Sequence, residues 1–402
     1  MDRRLSALSL SLSFLAASWA GGLGSAKAPV RPDPSGLQEI EGRVDLALAE
    51  NRIAEAIDLL QAGVNRNGGW REGWWRLGTL LYQKDDHSAA QAAFRRLVTL
   101  DAKAGAAWVL LGLCEFALGD YGSSLDHLQR GQALGIPAHL ELTEVARYHQ
   151  ALGLILTEKY EQAQILLNGL AREDPQNEEV LLAAGLAALH IPQLPKTLAH
   201  AFDAARLSLI RQVGEAQALA ATKRQAEARQ KYQSLIERHP NTSQLHYAYG
   251  ALLSDLGELE KAETEFRAEL RVTPGSVLAR IGLAYVGLQK GSTAEALPWA
   301  QEAVRLGPRS FMAHYLLGRL LMKDNQLLEG ARQLEISRNL NPDSSRVRFA
   351  LSQAYRRLHR QEEARREQQA FDRLRLLEDS FMDYGKLPAS LYEAKRSAGR
   401  KK

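Results

Sequence analysis

Residues 243–276 read SQLHYAYGALLSDLGELEKAETEFRAELRVTPGS, a unit of 34 residues in which Gly257 separates two amphipathic segments. The same spacing separates four prolines along the chain, Pro240, Pro274, Pro308 and Pro342. A fixed period of this length is typical of a solenoid, in which each unit contacts mainly its neighbours. The sequence therefore predicts a repeat array that presents one long surface to another macromolecule.

Each unit is predicted to be a pair of helices. In the unit above, residues 245–255 form the first helix and residues 260–272 the second. Gly257 tolerates the left-handed conformation that often ends a helix, and Pro274 stops the second helix because it lacks an amide donor. Other units have a residue of a tolerant type at the place of Gly257: Asn51, Asp85, Gly119, Gly291 and Asn325.

The pattern resembles the tetratricopeptide repeat family, whose units are helix–turn–helix pairs of 34 residues. Two sets of residues carry the match: Trp74, Leu77, Gly78, Ala90 and Phe94, and Gly250, Gly257, Ala262, Phe266 and Pro274. The resemblance implies an all-α, right-handed α-α superhelix of about ten units over residues 37–382. The units begin near Leu37, Arg71, Gly105, Glu144, Glu178, Leu209, Ser243, Val277, Phe311 and Ser345.

Two departures from the repeat carry further expectations. An apolar stripe continues after the tenth unit at Phe371, Leu374, Leu377 and Phe381, and it predicts the C-terminal part of a capping helix that covers the last repeat. Residues 191–195, IPQLP, replace the usual tight turn. They predict a bend in the array, with ordinary drift of the repeat as the alternative.

The two termini differ in composition from the repeats. Residues 1–20 begin with Arg3 and Arg4 and continue without charge, which predicts a signal peptide; an uncleaved membrane anchor is the alternative. A proline-rich linker follows at 21–36, and a basic flexible tail is expected at 383–402. We therefore expect an exported protein, periplasmic or secreted, with no membrane span in the mature chain.

The charge of the chain argues against a nucleic-acid partner. The formal net charge is +4, but five Lys and Arg lie in the last eight residues, so the rest of the chain is close to neutral. A nucleic-acid-binding face is normally strongly basic. Cys114 is the single cysteine and lies in an apolar helical segment, where a buried hydrophobic role is expected.

The sequence contains no motif that predicts catalysis. It lacks a glycine-rich phosphate loop, a His-Glu-x-x-His motif, a Gly-x-Ser-x-Gly motif and a pair of cysteines for a metal. The histidines are scattered singly along the chain. We therefore expect no enzymatic activity, no cofactor and no metal site.

The resemblance implies that a concave groove, lined by one face of each first helix, binds the partner. In the N-terminal half this face comprises Trp75, Thr79, Tyr82, Val109, Leu113, Phe116, Tyr148, Leu152 and Ile155. In the C-terminal half it includes Tyr315, Arg319, Phe349 and Arg356, and Tyr285 and other residues occupy the equivalent positions. The apolar N-terminal set is either an open groove for a partner segment or is buried by packing within the protein.

These observations favour a non-catalytic scaffold or adaptor that binds protein segments in the groove. The family resemblance suggests a role in cell-envelope assembly or secretion. The alternative is a regulatory or substrate-recruiting subunit of an enzyme on another chain, such as a glycosyltransferase. The sequence leaves the oligomeric state open.

Overall fold

A computed structural model describes residues 36–382. The predicted signal peptide at 1–20, most of the linker at 21–36 and the tail at 383–402 lie outside the described residues. Within these limits every regular element is helical, so the predicted all-α class is confirmed. The first ten helices are α1 (Leu37–Ala49), α2 (Ile53–Arg66), α3 (Arg71–Gln83), α4 (His87–Leu100), α5 (Gly105–Ala117), α6 (Tyr121–Leu134), α7 (Leu142–Leu156), α8 (Tyr160–Glu173), α9 (Glu178–Ala188) and α10 (Leu198–Ala201).

The remaining helices continue the same alternation up to the last described residue. They are α11 (Ala204–Ala221), α12 (Gln225–Arg238), α13 (Leu245–Asp255), α14 (Leu259–Val272), α15 (Val277–Lys290), α16 (Thr293–Leu306), α17 (Phe311–Lys323), α18 (Leu327–Leu340), α19 (Ser345–Arg357) and α20 (Gln361–Met382). Except in the short α9–α10 pair, each odd-numbered helix packs against the even-numbered helix that follows it. This helix–turn–helix packing confirms the predicted architecture of a repeat solenoid.

The turns inside the hairpins confirm the predicted left-handed residues. The backbone φ is positive at all six predicted positions: Asn51, Asp85, Gly119, Gly257, Gly291 and Asn325. Glu158, Lys223 and His359 adopt the same conformation, although their residue types do not indicate it. After each of these residues, the next amide donates to a carbonyl five residues back, as from Glu258 N to Leu253 O at 2.8 Å. This closure of the turn holds even a side chain that disfavours the conformation.

Small residues let the paired helices approach closely, as predicted. A β-carbon added to Gly250 would lie 2.7 Å from the ring of Phe266, and one added to Gly78 would lie 2.8 Å from the ring of Phe94. Both aromatic rings are buried. Because real β-carbons do not approach so closely, these two glycines are required by the packing of their hairpins.

The described residues form two compact units. Unit 1 comprises residues 36–187 and Pro192–Ala201, and unit 2 comprises Ala188–Ile191 and residues 202–382. The division lies at the irregular segment predicted from residues 191–195. There the second helix of the hairpin is reduced to the single turn α10, which a 3-10 turn at Pro195–Thr197 precedes.

Three helix boundaries differ from the simple repeat. Helix α7 begins at Leu142, after a 3-10 turn at Ala138–Leu140. Helix α11 begins at Ala204 and not near Leu209, because the Asp203 carboxylate caps it by accepting from Arg206 N at 2.7 Å. The predicted capping helix is the second helix of the last hairpin. This helix, α20, continues to Met382 and includes the predicted apolar stripe.

Candidate protein-binding surface

In unit 1, most of the predicted groove residues are buried. Trp75, Thr79, Val109, Leu113 and Ile155 are at most 1% exposed. Phe116, Tyr148 and Leu152 are also buried, and only Tyr82 retains partial exposure. Of the two alternatives for the apolar set, the structure therefore shows burial within the protein and no open apolar groove.

Contacts inside unit 1 account for this burial. Trp75, Val109 and Leu113 belong to one hydrophobic cluster, against which Tyr82 packs. The Trp75 and Phe94 rings meet edge to face with their centres 6.1 Å apart. Every residue of α5 from Gly105 to Phe116 is buried. The side chains therefore hold the repeats of unit 1 together and offer little area to a partner.

Buried titratable groups in unit 1 have shifted pKa values with structural causes. Cys114 is buried, as expected, and burial raises the pKa of its thiol to about 12. Burial also raises the pKa values of the Tyr82 and Tyr148 phenols. His149 packs edge to face against Phe116 and Tyr148, and burial lowers its pKa to about 4.

In unit 2, the first helices present an accessible face. Helices α13, α15, α17 and α19 contact one another in sequence and form one layer of the unit. Phe349 is 43% exposed and Tyr285 is 38% exposed, although both are large apolar side chains. Arg356 is also exposed, and Tyr315 and Arg319 are partly buried. We call these five residues the open strip: Tyr285, Tyr315, Arg319, Phe349 and Arg356.

Neighbouring side chains order the open strip. Arg319 Nη1 donates a hydrogen bond to Tyr315 Oη at 2.8 Å, and the guanidinium carbon lies 5.7 Å from the centre of the Tyr315 ring. Arg356 Nη2 donates to Gln368 Oε1 at 3.0 Å. The Phe349 ring lies 5.2 Å from the ring of Phe371, which belongs to α20. One side of Phe349 is therefore supported while the other faces solvent.

The layer of first helices in unit 2 is rich in cations and poor in carboxylates. Helices α15, α17 and α19 contain no acidic residue, and α19 alone contains four arginines. The second helices α14, α16 and α18 each contain two or more glutamates. Asp255 at the end of α13 is the one acidic residue of these four first helices. Burial raises its pKa, and the charge of Arg346 opposes that shift.

Other cations of this layer have structural partners. Lys323 Nζ donates to the carbonyl oxygen of Leu288 at 3.1 Å, and Arg357 Nη1 donates to that of Met322 at 2.6 Å. Arg348 on α19 pairs with the buried carboxylate of Glu367 at 2.8 Å. Among the described residues, neither Arg319 nor Arg356 has a carboxylate within ion-pair distance. These two guanidinium groups are therefore available to an anionic group from outside.

Two residues outside the predicted groove contribute to this surface. The ring of Phe371, a residue of the predicted capping stripe, packs against that of Phe349 with the ring centres 5.2 Å apart. The charge of Arg346 acts on the carboxylate of Asp255. The lack of acidic residues in three successive first helices is visible in the sequence and could have indicated the cationic face.

Residues 36–382 contain no group of three or more His, Cys, Asp or Glu side chains arranged to bind a metal ion. In the same range, no helix combines the length and the apolar character needed to cross a bilayer.

Comparison with known proteins gives a family and structural similarities. A family model described as tetratricopeptide repeat matches residues 41–103, 75–138 and 247–311, and a second model with the same description matches 213–242. No curated protein sequence is significantly similar to the chain. The chain is similar to a structure of MamA 41-end from Desulfovibrio magneticus RS-1, with 23% identity and a TM-score of 0.36 over 43% of this chain and 96% of that one. It is also similar to a chain in the crystal structure of the APC/C hetero-tetramer Cut9-Hcn1, with 12% identity and a TM-score of 0.42 over 85% of this chain and 89% of that one.

Proposed function

We propose that this chain, in which tetratricopeptide repeat models match residues 41–103, 75–138, 213–242 and 247–311, is a non-catalytic scaffold or adaptor that binds protein segments on unit 2. Arrays of helical repeats present extended surfaces that commonly bind other proteins. The binding surface is the open strip formed by Tyr285, Tyr315, Arg319, Phe349 and Arg356. The partner segment contacts the first helices of successive hairpins, each of which contributes one or two side chains.

One observation carries this proposal. Phe349 and Tyr285 expose large apolar surfaces on the same layer of first helices as two arginines that lack carboxylate partners among the described residues. Aromatic and arginine side chains are the residues most enriched at the energetic centres of protein interfaces. The equivalent apolar side chains of unit 1 are buried, so they do not form an accessible binding surface.

We further propose that the chain is exported and acts in cell-envelope assembly or secretion. The support is the charge-free segment after Arg3 and Arg4, which has the composition of a signal peptide. Fractionation of cells that produce the full chain, followed by N-terminal sequencing of the product, tests this proposal. A product that starts after residue 20 in the exported fraction agrees with it, and an intact product in the cytosol contradicts it. An intact product in the membrane indicates the alternative of an uncleaved anchor.

Affinity capture from native extract tests the binding function. The bait is the wild-type chain, compared with the double variant Tyr285→Ala, Phe349→Ala. The matched control is Leu328→Ala, which removes an apolar side chain that is 75% exposed on the second helix α18 of the same unit.

We expect at least one protein to bind the wild type and the control but not the double variant. Equal binding by all three baits would contradict the assigned surface. If the bound protein is an enzyme whose turnover changes on binding, the regulatory or substrate-recruiting role replaces the scaffold role.

A further inference from the structure

We propose that the open strip selects acidic segments, in which carboxylates bind Arg319 and Arg356 and an apolar side chain packs against Phe349. This inference rests on the proposed function and specifies the partner's chemistry. The occupant is an extended protein segment that contains Asp or Glu near an aromatic or aliphatic residue.

The distribution of charge favours an acidic partner. Helices α15, α17 and α19 have no carboxylate that could pair with a cation of the strip. Other arginines of unit 2, including Arg348 of α19, are neutralised locally, since Arg338 and Arg348 share Glu367 at 2.7 and 2.8 Å. Potentials of opposite sign across an interface determine partner choice and speed the encounter. A basic segment would meet uncompensated positive charge on this layer.

The two arginines are ordered for this role. The Tyr315 hydroxyl accepts from Arg319 Nη1 at 2.8 Å, and the Gln368 amide oxygen accepts from Arg356 Nη2 at 3.0 Å. Both of these partners are neutral, so they hold the guanidinium groups without cancelling their charge. A guanidinium has five N–H donors in a planar fork, and the remaining donors suit a carboxylate.

The helical register determines the spacing of the partner's residues. Phe349 and Arg356 are seven residues apart on one face of α19, which corresponds to roughly 10 Å along the helix at about 1.5 Å per residue. An extended chain covers that distance in about three residues at roughly 3.3 Å each. We therefore infer that a carboxylate of the partner lies about three residues from the apolar side chain that contacts Phe349.

A protein segment fits this surface better than a nucleic acid. Nucleic-acid sites are usually formed by a continuous basic groove that follows the phosphates. Here Arg319 and Arg356 lie on different helices, the exposed Phe349 precedes Arg356 by seven residues on α19, and the same layer includes the carboxylate of Asp255. Such a surface suits a protein segment that carries both acidic and apolar side chains.

A random library of displayed 12-residue peptides, selected on the full chain, tests the inference. Selected peptides are measured against wild type and the double variant Arg319→Gln, Arg356→Gln. The control is the double variant Arg332→Gln, Arg365→Gln, which makes the same change of charge at two exposed arginines of α18 and α20 outside the strip. The probes for other occupants are a single-stranded oligonucleotide, anionic vesicles and light scattering for self-association.

We expect selected peptides to be enriched in Asp and Glu near an aromatic or aliphatic residue. The arginine double variant should bind them at least roughly tenfold more weakly, while the control should bind as wild type. Replacing Glu with Gln in a selected peptide, or raising the salt concentration, should also weaken binding.

The outcomes separate the inference from the proposed function. Neutral or basic peptides that bind wild type and the arginine variant equally, yet depend on Phe349, would leave the binding function intact and overturn the acidic preference. Peptides that depend on neither the arginines nor Phe349, or no selected peptides, would contradict both. Tighter binding of the oligonucleotide or vesicles, or self-association through the strip, would overturn the acidic protein segment as occupant.

Discussion

Arg357 Nη1 donates a hydrogen bond of 2.6 Å to the carbonyl oxygen of Met322, a residue 35 positions earlier in the chain. The same relationship recurs one repeat before, where Lys323 Nζ donates to the carbonyl oxygen of Leu288 at 3.1 Å. Leu288 and Met322 lie in the last turns of α15 and α17, where main-chain carbonyls lack helical partners. Each cation therefore caps the first helix of the preceding hairpin and joins neighbouring repeats.

We predict that removing these caps weakens the contact between repeats. Arg357→Met retains a long apolar stem but loses the charged donor, and it should lower the free energy of unfolding by about 1 kcal/mol. Arg332→Met, at an exposed arginine of α18, should change it by less than about 0.5 kcal/mol. Urea unfolding followed by circular dichroism measures both. Equal effects of the two variants would show that the inter-repeat cap contributes nothing.

The contrast between Trp75 and Tyr285 predicts opposite consequences of truncation. Trp75 is 1% exposed, so Trp75→Ala should create a cavity in unit 1 and lower the free energy of unfolding by about 3–5 kcal/mol. Tyr285 is 38% exposed, and Tyr285→Ala should reduce stability by only about 1 kcal/mol. Thermal and urea unfolding of the two variants measure the difference. If Trp75→Ala were as stable as Tyr285→Ala, the burial of the N-terminal groove residues would be contradicted.

His149 makes the stability of unit 1 dependent on pH. Burial is the main cause that lowers its pKa to about 4, and the nearby charge of Lys196 lowers it further. The folded state thus favours the neutral ring, whereas the unfolded chain protonates near pH 6.5. The contribution of neutral His149 to stability is therefore fully present above pH 6.5. The free energy of unfolding falls by up to about 3 kcal/mol as the pH approaches 4.

The variant His149→Gln should remove most of this pH dependence. The control is His200→Gln, at an exposed histidine of the same unit, which should keep the slope of the wild type. Thermal midpoints at several pH values between 7 and 4 give the slopes. A wild-type slope that His149→Gln leaves unchanged would assign the acid sensitivity to another group.

Glu72 should have the opposite dependence on pH. Burial raises its pKa to about 7, and the nearby charge of Arg76 only partly opposes this shift. Glu72 Oε2 is buried and has no hydrogen-bond partner among the described residues. Because the folded pKa lies above the ordinary value of about 4.5, ionisation above pH 7 destabilises the folded state, and stability is regained as the pH falls towards 4.5.

We predict that Glu72→Gln stabilises the protein at pH 8 by about 1 kcal/mol, a value reduced to allow for solvent screening of a partly exposed group. The advantage should disappear near pH 4.5, where the wild-type carboxyl is protonated. The control Glu144→Gln, at an exposed glutamate of unit 1, should show no such crossover. Unfolding curves at the two pH values test the prediction, and an equal effect at both would refute it.

The sequence allowed part of the candidate surface to be predicted. Helical register and family resemblance identified the accessible face of the first helices in unit 2, including Arg319 and Phe349. They did not decide whether the corresponding face of unit 1 is open. One local signal was available: α5 reads GAAWVLLGLCEFA and is apolar on every side, a pattern that indicates burial, whereas α19 is amphipathic.

Other contacts could not be predicted, because they join residues whose distance depends on tertiary packing. The buried Glu269 carboxylate accepts from Gln244 N at 2.9 Å and from Tyr247 N at 3.3 Å, and it thereby caps α13 from the following helix. In the sequence, Glu269 is one more charged residue of a helix with four glutamates. Its role exists only once α14 packs against α13.

The sequence by itself determined the repeat period, the helical hairpins, six of the left-handed turns and the close glycine contacts. These features depend on interactions within one 34-residue repeat or between adjacent repeats, which the repeated pattern encodes locally. Only the tertiary structure decided which predicted groove residues are accessible and which cations lack a carboxylate partner. Exposure and charge pairing depend on neighbours from several helices at once, and so Trp75 is buried while Phe349, at the same position of its repeat, is open to solvent.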